Sequence, residues 1–159
     1  MTPDADTSVT LQQRLESAMR DAMRSRDQQR LQTVRMALAA AQNQRIARGR
    51  DLTDDEVVEV LTRQVKQRRE SIAMYRDAGR GDRAAAEEAE AAILAEFLPE
   101  QLTEDEIVAL ARAAIAASGA LSPSDMGRVM GALSPQTKGR ADGRVVSDIV
   151  RRLLAETTT

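Results

Sequence analysis

Along this chain apolar residues return every three or four positions in a series of stretches separated by short polar breaks, the spacing that lines one face of an α-helix. Leu11, Leu15, Ala18, Met19, Ala22 and Met23 predict a first helix after a frayed start over residues 1–10. A polar break near residues 24–28 ends or bends it. Leu31, Val34, Leu38, Ala41 and Ile46 share one face of a second helix, closed by Gly49, which suits the left-handed position after a helix end. Two antiparallel helices are the simplest outcome. Thr53 and Glu56 have the Thr-x-x-Glu spacing of a capping box, so a third helix starts there and carries Val57, Val60, Leu61, Val65, Ile72 and Tyr75 inward. Arg63, Lys66, Arg68, Arg69 and Arg76 are expected around its remaining surface, and Ala78-Gly79 ends it. A fourth helix is expected from about Asp82 to Leu98, before Pro99, which has no N–H to continue it.

The boundary between two domains is placed there, at 1–99 and 100–159. Thr103 and Glu106 repeat the capping-box spacing and open a fifth helix through Ile107, Leu110, Ala111, Ala114 and Ile115, with Gly119 after its end. Ser122-Pro123 supplies a cap and a proline at the first helical position. A short sixth helix, Asp125 to Leu133, should stop before Pro135. Residues 136–143 predict a polar loop, and Val145, Val146, Ile149, Val150, Leu153 and Leu154 a last helix. The fold class is therefore all-α: an N-terminal bundle of long antiparallel helices followed by a small three-helix C-terminal domain.

Composition sharpens this picture. Only Tyr75 and Phe97 are aromatic, which disfavours sheet cores and also removes the platforms on which single-stranded bases stack. The chain has no cysteine and no histidine, so disulfides, thiol nucleophiles and the commonest proton carrier are excluded. No apolar run nears the ~20 residues of a membrane span, and no leader pattern precedes Leu11; a cytoplasmic location is expected. The net charge of −2 is uneven: +3 over residues 1–80, −7 over 81–118 and +2 from Gly119 onward.

Candidate chemistry is sparse. Residues 131–138 lack the Gly-Lys-Ser/Thr ending of a phosphate-binding loop. Gly127 and Gly131, four apart, are expected to let helices pack closely, or else to offer backbone to a partner. Carboxylate pairs such as Glu87 with Glu90 and Glu96 with Glu100 read as solvated helix surface, and Met19, Met23, Met36, Met74, Met126 and Met130 as core filling. The segment Thr137 to Arg144 is the most suggestive. Gly139 and Gly143 would let backbone approach a ligand, Asp142 can cap the last helix, and Lys138, Arg140 and Arg144 gather charge at a helix amino end that attracts phosphate.

Five segments in order resemble the YqeY-like family: Val65 to Ser71, Tyr75 to Arg80, Phe97 to Leu102, Asp125 to Gly131 and Lys138 to Gly143. The resemblance covers about Leu11 to Ala155. It implies a helical bundle followed by a domain similar to the tail of the tRNA-dependent amidotransferase B subunit, which helps hold tRNA while Asp-tRNA or Glu-tRNA is amidated. A related module on some glutaminyl-tRNA synthetases also serves tRNA binding. That match rests on Gly127, Met130, Lys138, Gly139, Arg140, Ala141 and Asp142, although the amidotransferase tail tends to have Asn-Pro where this chain has Asp142-Gly143. The chain is too short for the B subunit's kinase-like catalytic region, so carbon–nitrogen ligase activity is not expected of it.

The resulting expectation is a non-catalytic tRNA-binding accessory protein with no cofactor or metal. Lys138, Gly139, Arg140, Arg144, Arg151 and Arg152, with Arg128, would meet phosphates, while Gly127, Gly131 and Gly143 serve backbone approach or packing. No DNA or membrane partner is expected. The alternative is an adaptor that docks on an aminoacyl-tRNA synthetase or amidotransferase without touching RNA, its acidic helix opposing a basic partner.

Overall fold

The computed structural model describes residues 8–157, and among these every regular element is a helix. Seven α-helices follow in order: α1 (Leu11–Ser25), α2 (Gln28–Arg48), α3 (Asp54–Asp77), α4 (Gly81–Ala95), α5 (Glu104–Ser118), α6 (Met126–Thr137) and α7 (Gly143–Thr157), with a 3₁₀ turn at Pro123–Asp125 before α6. No single helix among the described residues is long and apolar enough to cross a membrane. The chain divides into two compact units, Met1–Leu98 and Pro99–Thr159.

Local chemistry sets the helix ends. The Thr53/Glu56 and Thr103/Glu106 boxes both close, each threonine oxygen accepting from the third helical N–H while the glutamate accepts from the threonine N–H. A third box, Thr10 with Gln13, opens α1 within the stretch expected to fray. Arg26, at φ +58°, takes the left-handed conformation between α1 and α2, and Asp27 then caps α2. Every non-glycine residue pays for that conformation in sterics, so this turn stores strain that glycine would not.

In the first unit α1, α2, α3 and α4 enclose Leu15, Val34, Val57, Leu61, Leu94 and Phe97. The Arg14 and Arg30 guanidinium groups lie 5.7 and 5.9 Å from the Phe97 ring centre, covering the single phenylalanine with cations. Arg68 corrects the sequence reading. It is 5% exposed, with Nε donating to Glu90 of α4 at 3.1 Å and Nη1 to the Gln64 side-chain oxygen at 3.1 Å. Position 68 falls three after Val65 and four before Ile72, on the core face; spacing pointed inward where residue type suggested surface. Glu90 is correspondingly an ion-pair partner, not a purely solvated carboxylate.

Other corrections follow the same helical period. Ile46 lies five residues after buried Ala41, and it is exposed. Met23, Met36 and Met74 each sit one or two positions off a buried residue and are also exposed, whereas Met19, Met126 and Met130 do pack against cores. Val145, one before buried Val146, points to solvent.

The second unit packs α5, α6 and α7 around Ile107, Ala111, Val129, Leu133, Val146 and Val150. Helix α6 runs through Pro135 to Thr137, four residues past the expected end at Leu133. Proline removes one hydrogen bond, to the carbonyl of Gly131 four residues earlier; Gly131 is exposed, so water can meet that oxygen, and the helix continues.

Candidate nucleic-acid interface

The chain between α6 and α7 is built by three local constraints. Lys138 closes α6 with its N–H on the Ser134 carbonyl, Gly139 turns left-handed at φ +73°, and the N–H groups of Arg140 and Ala141 return to the Thr137 carbonyl at 2.9 and 3.0 Å. Asp142 then caps α7: its carboxylate accepts from the Arg144 N–H at 2.9 Å, and its carbonyl from the Val146 N–H.

A second segment braces this loop. Gln101 donates its side-chain amide to the Gly139 carbonyl at 2.8 Å, Leu102 N–H donates to the Arg140 carbonyl at 2.8 Å, and Arg140 Nε donates to the Glu100 carbonyl at 3.1 Å. Two segments 38 to 40 residues apart are thus one strap-and-loop unit. Sequence reading singled out both and had no means of pairing them.

The expected cations fare differently. Arg144 is exposed at the first turn of α7 and, among the described residues, its guanidinium makes no ion pair. Lys138 is exposed beside the same loop, while Arg140 is half-buried and partly committed to the strap. Arg151 pairs with Asp148 at 2.9 Å and Arg152 with Glu104 at 4.0 Å. Arg128 pairs with Asp125 and also donates to the Ser118 carbonyl. Hydrogen bonds from the Leu121 N–H, and then from Arg128, hold the Asp125 carboxyl below the usual aspartate range, so this pair stays ionised in mild acid. Three of the expected RNA contacts are therefore engaged by carboxylates of the same unit, which carries 7 basic and 8 acidic residues.

The glycines also divide. Gly139 is buried with its carbonyl taken by Gln101, so it shapes the loop and does not present open backbone. Gly127, Gly131 and Gly143 are exposed, and a Cβ built on any of them meets nothing within 4 Å, so no described neighbour requires glycine there. No group of three or more Asp or Glu side chains among the described residues is placed to hold a metal ion.

A chain whose regular elements among the described residues are all helices, with a braced basic loop and no imidazole or thiol, belongs to the class of small two-unit helical proteins. The model of the Yqey-like protein family matches residues 12–154, and the chain belongs to that family. No curated protein matches it.

Proposed function

We propose that this chain is a non-catalytic accessory protein of tRNA metabolism that contacts folded RNA through the α6–α7 loop of its second unit. One observation supports the reading: Arg144 is exposed in the first turn of α7 and, among the described residues, its guanidinium makes no ion pair, while the loop that leads into that turn is fixed by the Asp142 cap and by the Gln101 and Leu102 hydrogen bonds. A rigid loop holds a phosphate-binding side chain in place at little entropic cost. With Tyr75 and Phe97 in the first unit, the second has no stacking platform, so recognition proceeds through phosphates and folded shape.

Salt titration of tRNA binding tests this. Each phosphate contact contributes about 0.7 to 0.9 to the slope of log affinity against log salt. Arg144→Ala should lower the slope by about that amount, and Arg151→Ala by less, because its guanidinium is engaged by Asp148. A slope unchanged in Arg144→Ala sinks direct contact at this loop.

The exposed, unobstructed backbone at Gly127 and Gly131 favours a second reading, in which α6 docks on an aminoacyl-tRNA synthetase or amidotransferase and RNA is held by that enzyme. Pull-down before and after nuclease treatment separates the two. A partner lost with the RNA supports the first reading, and a partner retained supports the second.

A further inference from the structure

Helix α2 has an apolar side and, opposite it, an uncharged one. The first meets the core through Leu31, Val34, Ala37 and Ala41. On the other, Gln29, Gln32, Met36, Ala39, Asn43 and Ile46 follow the alternating three- and four-residue spacing of a coiled-coil seam, and all six are exposed. Met36 and Ile46 are 56% and 68% exposed. None of the six is charged, although 30% of the chain is. The outer side of α3, by contrast, carries Arg63, Lys66 and Glu70, and that of α7 carries Arg144, Asp148 and Arg151.

We propose that this seam is a self-association surface, on which α2 of a second copy lies parallel and in register. Charge and polarity along the seam select this occupant. In the first position of each heptad stand Gln29, Met36 and Asn43, and in the fourth stand Gln32, Ala39 and Ile46; parallel pairing sets each against its own copy. Asn43 then meets Asn43, a pairing that fixes register and favours two strands. Of the flanking positions, Thr33 is buried in its own bundle, and the others pair Arg35 with Ala40 and Gln42 with Ala47, so no like charges oppose. The remaining arginines of α2 are neutralised within their own chain, Arg30 by Glu96, Arg45 by Asp51 and Arg48 by Glu56. Half the seam is polar, so the association is weak and appears at high protein concentration.

The absence of cysteine makes the test clean, because a single introduced thiol is the only one in the chain. Ala39→Cys on the seam is compared with Ala73→Cys, which is exposed on α3. Under mild oxidation the seam variant should form disulfide dimer about tenfold faster, since pairing raises the local thiol concentration. Sedimentation equilibrium of the cysteine-free chain should show a concentration-dependent dimer that Met36→Glu abolishes, with helix content unchanged by circular dichroism. Equal crosslinking of the two variants, a monomer at every concentration, or a dimer indifferent to Met36→Glu would overturn the proposal. An antiparallel arrangement is an overturning result too, and appears as Gln32→Cys failing to crosslink.

Discussion

Glu90→Ala should destabilise the first unit more than Arg68→Met does. Removing Glu90 leaves the Arg68 guanidinium 5% exposed, with Gln64 as its remaining partner at 3.1 and 3.3 Å. Breaking a fully buried pair costs about 3 to 5 kcal/mol because a charge is stranded. Glu90's side chain is 29% exposed, so water enters the gap and the expected cost falls to about 2 kcal/mol. In Arg68→Met the partly exposed carboxylate keeps its hydration and an apolar stem still fills the space, for a cost of about 1 kcal/mol or less. Tyr75, the sole tyrosine in a chain without tryptophan, lies on α3 and reports the first unit alone. With a urea dependence of about 2 kcal/mol per molar, Glu90→Ala should lower the midpoint of Tyr75 fluorescence by about 1 M. A shift for Glu90→Ala no larger than for Arg68→Met would show that the guanidinium is not stranded, and the burial argument fails.

Further predictions concern helix ends. Arg50 above all, with the Thr53 N–H and Arg48, holds the Glu56 carboxyl at about 2 against an ordinary 4.5. A folded-state value below the unfolded one means its stabilisation is complete above about pH 4.5 and lost as pH falls towards 2. NMR titration should find Glu56 titrating near 2 in the native chain and nearer its ordinary range in Arg50→Gln. Thr103→Ala removes an N-cap acceptor and should cost the second unit about 1 kcal/mol, visible by circular dichroism while the Tyr75 transition stays in place. Gly131→Ala, with open space for the methyl and a helical backbone, should stabilise α6 by about 0.5 to 1 kcal/mol in urea melts. Gly139→Ala should do the opposite by about 1 kcal/mol or more, because φ there is +73°.

The helical class and most helix ends were legible because they rest on local chemistry: a capping box is complete within four residues, and Gly49 and Gly119 do take the left-handed turn. The α6 stop was misplaced because a proline's effect depends on whether the freed carbonyl is exposed, which is not a local property. Exposed Met23, Met36 and Ile46 were assigned inward on hydrophobicity, although their spacing from Ala22, Val34 and Ala41 pointed outward. Among the candidate contacts, charge was readable and pairing was not. Arg152 meets Glu104 across nearly fifty positions, and the carboxylates that occupy Arg128 and Arg151 become partners only once a helix brings them three residues round.

Asp142 changes what kind of anion site the loop can offer. A helix amino end attracts phosphate because its first N–H groups lack partners and its dipole is positive. In α7 that position already holds a carboxylate of the chain, with Asp142 accepting from the Arg144 N–H at 2.9 Å. An incoming phosphate at the same point would face a like charge and a donor already satisfied. On the proposed reading the helix end orients Arg144 and does not itself receive the ligand, and a phosphate would be met further out, by the side chains of Arg144 and Lys138. Asp142→Asn separates these roles, since it retains an acceptor for the cap while removing the negative charge. On this geometry it should strengthen RNA binding with little change in stability, most visibly at low salt where the repulsion is least screened. If Asp142→Asn weakened binding instead, the carboxylate would be assisting the contact, and the helix end could not be the passive support inferred for it.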